Sequence, residues 1–289
     1  MFKGSIVALI TPFKNGLVDK QKLQELVEWH IESGTSAIAP CGTTGESATL
    51  THDEHNEVVE IVVDAVNKRI PVIAGTGSNN TKEAILLTKH AKDVGVDAAL
   101  IIAPYYNRPT QNGLYDHFNA IAANADLPIM LYNIASRTGV NMEPALVQKL
   151  SLINNIVAIK EASGNLSQMS DIIQLCGHEF SLMSGDDALT LPVMSIGGTG
   201  VISVVANIVP ADVAKLVESF KTGDLKTARE YHYKLSNLVK AMFIETNPIP
   251  VKKAMELMGL CSGELRLPMT EMLPENVAKL KIAMKEYGI

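Results

Sequence analysis

The sequence predicts a (β/α)8 barrel carrying additional C-terminal helices. Short β-branched or apolar runs alternate with amphipathic helical stretches about eight times, the pattern of parallel strands joined by helical crossovers. No strand-strand hairpin is expected among them, and near 200 residues such a count closes into a barrel. No GxGxxG follows the first strand, which disfavours a doubly wound open sheet.

The elements follow in order. Ser5–Ile10 reads as the first strand. Lys3 and the apolar stretch after it look like a short leader core, but no A-x-A-like cleavage site follows and Pro12-Phe13-Lys14 ends the run. Asp19–Ser33 has helical spacing, with Asp19 as N-cap and Gly34 as stop. Ala37–Pro40 precedes the helical Asp53–Asn67, where Thr51 is placed to cap. Pro71–Gly75 precedes Thr81–Val94, bounded by Asn80 and Gly95. Ala98–Ala103, Pro128–Tyr132, Asn155–Lys160, Phe180–Ser184 and Gly200–Ser203 complete the strands. Leu114–Asn124 and Leu166–Leu175, the latter capped by Asn165, supply further helices. From Val209 the pattern is helical only, through Pro210–Thr222, Asp224–Glu245, Ile249–Met258 and Pro274–Tyr287. With no linker-like tract, the expected division is a barrel over 1–208 and a helical region over 209–289 that packs on it or mediates assembly.

Composition narrows the function classes. A net charge of −6 argues against nucleic-acid or anionic-membrane binding, which need a basic face. A small anionic substrate still fits, because one or two buried cations outweigh a mildly acidic surface. No apolar run approaches the roughly 18 residues of a membrane span. Cys41, Cys176 and Cys261 are far apart without a CxxC pair, excluding a zinc ribbon or disulfide framework and fitting a reducing cytosol. A cytoplasmic protein with no nucleic-acid or membrane partner is expected.

Catalytic groups of such barrels lie on the loops after each strand. The run Asn155-Ile156-Val157-Ala158-Ile159 closes on Lys160, delivering an amine to a strand's carboxyl end. Held away from water, an amine sheds its proton more readily, and a neutral amine is a nucleophile for a ketone. A strand-end lysine that merely reaches solvent is the competing reading. Gly42-Thr43-Thr44-Gly45-Glu46 offers a tight turn with amide and hydroxyl donors suited to a carboxylate. Tyr132 can relay protons and Arg137, in Ser136-Arg137-Thr138-Gly139, can grip a second carboxylate. Gly185-Asp186-Asp187 and Gly197-Gly198-Thr199-Gly200 mark the last two strands.

Singly these motifs are weak; in strand order they are specific. GTTGE at 42–46, YN at 132–133, SRTG at 136–139, IKEASGN at 159–165 and SGDD at 184–187 resemble the pyruvate-dependent class I aldolase family. The resemblance spans the whole chain, including Pro104-Tyr105-Tyr106-Asn107 and Asn247-Pro248-Ile249-Pro250-Val251-Lys252. It is strongest to the branch that joins pyruvate to L-aspartate 4-semialdehyde in the diaminopimelate route to lysine. It implies that Lys160 forms a Schiff base with pyruvate and that the enamine attacks the aldehyde. It further implies a pyruvate carboxylate held at Thr44, and a proton relay of Tyr132, Thr43 and Tyr106, with Tyr106 reaching in from a neighbouring subunit. Arg137 would hold the semialdehyde carboxylate, and backbone groups of Gly185 and Ile202 would line the pocket. No metal or organic cofactor is implied, since the imine is itself the electron sink. A homotetramer built as a dimer of dimers is implied too. One departure shows: Ala135 stands where the family's loop often has proline, which removes a fixed φ before Arg137.

His52 and His55 share one face of a helix start at i, i+3 spacing. Half a metal site and a plain solvated helix start are two readings of this pair. The resemblance supplies a third. In lysine-inhibited relatives, L-lysine is held between subunits at positions matching Ser47, Ala48, His52, His55, Asn79, Glu83 and Tyr105. Rival assignments are an N-acetylneuraminate lyase or 2-keto-3-deoxy sugar acid aldolase, a phosphate-binding barrel using Gly197–Gly200, and a catalytically silent barrel. The sugar-acid enzymes would share Lys160 and Tyr132 but are not expected to carry both Thr43-Thr44 and Arg137.

Overall fold

A computed structural model describes residues 2–289. The chain opens with β1 (Gly4–Ala8), a short antiparallel pair β2 (Phe13–Lys14) and β3 (Leu17–Val18), and helix α1 (Lys20–Glu32). Strand-helix units follow: β4 (Ala37–Ala39) and α2 (His52–Val66), β5 (Ile73–Gly75) and α3 (Thr81–Asp93), β6 (Ala98–Ile102) and α4 (Gln111–Asn124). Next come β7 (Ile129–Asn133) with α5 (Ala135–Thr138) and α6 (Pro144–Ser151), then β8 (Ile156–Glu161) with α7 (Leu166–Cys176). β9 (Ser181–Ser184) leads to α8 (Thr190–Ser195) and β10 (Gly200–Ser203) to α9 (Pro210–Lys221). The chain ends in α10 (Leu225–Met242), α11 (Ile249–Leu257) and α12 (Pro274–Tyr287).

Eight parallel strands form one sheet in the order β4-β1-β10-β9-β8-β7-β6-β5. A bridge between Ile38 and Val72 joins its two ends, with the Ile38 amide donating to the Pro71 carbonyl at 3.0 Å. The result is the (β/α)8 barrel expected from the pattern, with helices beyond it. Alternation along each strand sorts the core into two layers. Ile6, Ala8, Ala39, Ile73, Ala98, Met130, Ala158 and Ile202 fill the interior. Val7, Leu9, Ile38, Ala74, Ile129, Leu131 and Ile159 face outward to the helices.

Helix starts follow the sequence reading. Asp19, Thr51, Asn80 and Asn165 each accept a first-turn amide, and Thr51 with Glu54 completes a capping box. Gly34 and Gly95 follow the ends of α1 and α3 in the left-handed region, at φ 82° and 91°. No hairpin joins the barrel strands, as expected, and one lies outside their sheet. Asn15 and Gly16, both at positive φ, turn β2 into β3; Asn-Gly is the pair such a two-residue turn favours. Gly197, Gly198 and Thr199 precede β10 and Gly200 opens it, at the end of the barrel opposite Lys160. A Cβ on Gly200 would lie 2.1 Å from the Gly4 carbonyl oxygen, so close strand approach explains that glycine without a phosphate.

Beyond the barrel strands, α9 packs on β1 and β10, α10 on α9 and α12 on α10. Lys234 of α10 pairs with Asp212 of α9 at 2.5 Å and lies 4.9 Å over the Tyr287 ring of α12. Among the described residues no helix is long and apolar enough to cross a membrane.

His30 on α1 is fully buried, and burial pushes its imidazole down to about 3. Below pH 6.5 the unfolded chain therefore binds a proton that the folded chain refuses, and stability drains as pH falls from 6.5 toward 3. The expected loss at pH 5 is about 2 kcal/mol. Urea midpoints at pH 7 and pH 5 should diverge less in His30→Gln than in wild type; equal divergence would refute this source.

Candidate active site

Tyr132 on β7 and Lys160 on β8 are Cα partners across the parallel ladder. Both side chains point into the barrel, and Lys160 Nζ lies 4.2 Å from the Tyr132 ring centroid. Lys160 is only 6% exposed, so the strand-end lysine does not simply reach solvent. Its stem runs past Gly185, where a Cβ would fall 3.1 Å from Lys160 Cε and 2.7 Å from the Ala162 Cβ. Ile202 is buried in the interior layer.

On the next rung Asn133 pairs with Glu161, and both side chains point outward. The Glu161 carboxylate is fully buried, and no cation pairs with it among the described residues. It accepts Asn133 Nδ2 at 2.9 Å, Gln168 Nε2 at 3.1 Å and the Ser163 amide at 2.6 Å. Asn133 Oδ1 in turn accepts the Met142 amide at 3.0 Å. This network, given no role from sequence, clamps the strand ends behind Tyr132 and Lys160. Its trace there was a glutamate in an apolar strand directly after the lysine.

Thr44 is buried, and its hydroxyl accepts Asn247 Nδ2 at 3.0 Å. The Asn247 carbonyl accepts an Arg137 guanidinium N–H at 2.9 Å. Asn247 thus ties the GTTGE loop to the arginine loop, a connection across 203 residues that no local pattern reveals. Its own Oδ1 is buried without a hydrogen-bond partner among the described residues. Arg137 rides on α5, which opens at Ala135; the Arg137 and Thr138 amides both donate to the Ile134 carbonyl at 3.0 Å. The turn closes with alanine at its first position.

A cavity of about 390 Å³ opens at this mouth. Thr43, Tyr132, Arg137 and Asn247 line one part of it, and Ser47, Ala48, His52, His55, Glu83 and Tyr105 line another. His52 Nε2 bonds Glu83 Oε1 at 2.7 Å. A bond from Ser78, with help from His52, holds the Glu83 carboxyl below its usual range. His55 is buried, donates Nε2–H to the Gly75 carbonyl at 2.7 Å, and is pushed by desolvation toward its neutral form. Asn79 bonds the Tyr105 carbonyl at 3.3 Å and accepts Asn107 Nδ2 at 2.8 Å through its own carbonyl. Burial raises the Tyr105 phenol, with Glu83 adding to the shift. Tyr106 stands apart, 89% exposed at a left-handed φ of 71°. Within one chain it does not join Tyr132 and Thr43.

Gly185→Ala should crowd the Lys160 stem and cost about 1–3 kcal/mol of stability by overpacking. A denaturant midpoint unchanged from wild type would show that the pocket has slack at this point.

The sequence model of the dihydrodipicolinate synthetase family matches residues 1–287. A 4-hydroxy-tetrahydrodipicolinate synthase of Syntrophus aciditrophicus is 58% identical over the whole of this chain and 99% of its own length. The chloride-inhibited dihydrodipicolinate synthase of Acinetobacter baumannii, solved in complex with pyruvate, is 45% identical, with a TM-score of 0.98 and full coverage of both chains. The enzyme of Cyanidioschyzon merolae, solved with lysine bound, is 45% identical, with a TM-score of 0.96 over 99% of this chain and 98% of its own. Barrel, loop motifs and these likenesses agree, and the chain belongs to the dihydrodipicolinate synthetase family.

Proposed function

We propose that the protein condenses pyruvate with L-aspartate 4-semialdehyde to 4-hydroxy-tetrahydrodipicolinate through an imine on Lys160. The carrying observation is the buried Tyr132–Lys160 rung beneath a cavity lined by Thr43 and Arg137. The pyruvate in the Acinetobacter baumannii relative supports the same donor. The Lys160 nitrogen attacks the keto carbon of pyruvate, and the carbinolamine loses water to give the imine. Removal of a methyl proton yields the enamine, whose carbon bonds to the aldehyde carbon while its oxygen takes up a proton. The amino group of the semialdehyde moiety then displaces Lys160 from the imine carbon, closing the ring, so one water leaves overall.

Hydroxyls suit these proton movements, since they pass protons without adding buried charge. Tyr132 and Thr43 fill that role, with Tyr106 entering from a neighbouring subunit; its exposure and left-handed backbone suit a side chain offered outward. Thr44, the amides around it, and backbone groups at Gly185 and Ile202 receive pyruvate, and Arg137 grips the acceptor carboxylate. We place the reaction in the cytoplasm, in a homotetramer built as a dimer of dimers. L-Lysine binds between subunits at Ser47, Ala48, His52, His55, Asn79, Glu83 and Tyr105 and lowers turnover. Glu83, held ionised, neutralises its α-ammonium.

Borohydride should trap pyruvate on wild type and not on Lys160→Ala; trapping on that variant would reject the assigned amine. Arg137→Ala should keep pyruvate trapping and raise KM for the semialdehyde about 10- to 100-fold, the range for one charge-assisted contact. An equal rise for both substrates would remove Arg137 from this role. Millimolar L-lysine should lower turnover and raise the thermal midpoint in wild type and do neither in Glu83→Gln. Unchanged turnover and midpoint in wild type would end the inhibitory reading.

A further inference from the structure

The GTTGE loop rests on a buried ion pair. Glu46 Oε1 lies 2.5 Å from Lys252 Nζ, with side-chain exposures of 2% and 0%. The other carboxylate oxygen accepts the Arg266 amide at 3.1 Å. Lys252 Nζ also donates to the Glu264 carbonyl at 2.7 Å and lies 4.1 Å over the Phe13 ring. Glu46 stands in the left-handed region at φ 53°. Its backbone amide donates to the Thr43 carbonyl at 3.2 Å, and its carbonyl accepts the Thr49 amide at 3.0 Å.

Energetics do not explain the pair. Desolvation of two buried charges roughly cancels their attraction, and an apolar pair of similar volume is often as stable. Burial indeed presses Lys252 toward its neutral form, with Glu46 opposing. What an apolar pair lacks is direction. The salt bridge fixes Glu46 at a distance and angle, and Glu46 in turn fixes Thr43 by the backbone. Five residues earlier, Asn247 holds the Thr44 hydroxyl at 3.0 Å. The segment running into α11 therefore grips the loop at two points.

We propose that Glu46 and Lys252 are positioning residues that set the pyruvate-binding geometry of Thr43 and Thr44 from the C-terminal region, an inference that rests on the reaction proposed above. Lys252 stays outside the cavity, and the carboxylate of Glu46, which lines it, is turned to Lys252 and the Arg266 amide. Loss of the pair lets the loop shift at Glu46, weakening pyruvate binding selectively, while Arg137 keeps the acceptor because it bonds the Asn247 backbone carbonyl and neither member of the pair.

The test compares wild type with Glu46→Gln, Lys252→Met and the double variant, reading thermal midpoint, KM for each substrate and borohydride trapping of pyruvate. Glu46→Gln, which keeps an acceptor for Lys252, should raise pyruvate KM about fivefold, and Lys252→Met about tenfold with a lower midpoint. The double variant should regain the midpoint but not the pyruvate KM, and the semialdehyde KM should stay within about twofold throughout. If Lys252→Met does not fold, Glu46→Gln and the double variant decide. A wild-type pyruvate KM in the double variant, or equal rises for both substrates, overturns the positioning role. Failure of wild type to trap pyruvate overturns the proposed reaction and this inference with it; trapping in wild type with unchanged KM in the variants overturns the inference alone.

Discussion

Closure of the parallel ladder governs this molecule. In a closed barrel each strand has two faces and no free edge, so successive side chains alternate between a filled interior and a helical layer. At the ends of β7 and β8 this alternation separates chemistry from support. Tyr132 and Lys160 enter the barrel on one rung, and Asn133 and Glu161 leave it on the next. A slip of one residue would exchange them. It would put the carboxylate inside the barrel and the amine among the helices. The three bonds to Glu161 therefore fix register as much as they satisfy a charge.

The interior is lined at many levels by small residues, among them Ala8, Ala39, Ala98 and Ala158. Ile6, Ile73 and Met130 stand among them, and Gly185 leaves the space that the lysine stem needs. Outside the barrel, long-range bonds do what local turns cannot. Asn247 reaches both Thr44 and Arg137, Lys252 reaches Glu46, and Arg266 binds Glu54 through both guanidinium nitrogens. The C-terminal helices are in this way bonded to the loops at the barrel mouth as well as packed on its flank.

One cavity connects the mouth to the cleft holding His52, Glu83 and Tyr105. Tyr105 and the exposed Tyr106 are adjacent in a turn that Asn79 and Asn107 pin. Arg108 Nε donates to the Gly139 carbonyl at 2.8 Å, so this turn also touches the arginine loop. A change at either tyrosine has a short covalent and hydrogen-bonded route to the other.

The sequence by itself determined the barrel, its strand order of motifs and the helix caps. Period-two and helical patterns are local, and Asp19, Thr51, Asn80 and Asn165 cap through atoms a few residues away. Lys160 stood out for a similar reason, as a charge closing an apolar strand. The Asn15-Gly16 turn is likewise a local signal, since that pair favours a two-residue hairpin. Only tertiary structure decided which polar groups meet. Asn247 and Thr44 lie 203 residues apart, and Glu46 and Lys252 lie 206 apart. Such partners carry no periodic signal, because their meeting depends on barrel closure and helix packing summed over the whole chain. Glu161 was hidden differently: its burial follows from the alternation that points Lys160 inward, and what satisfies it there comes from two other elements.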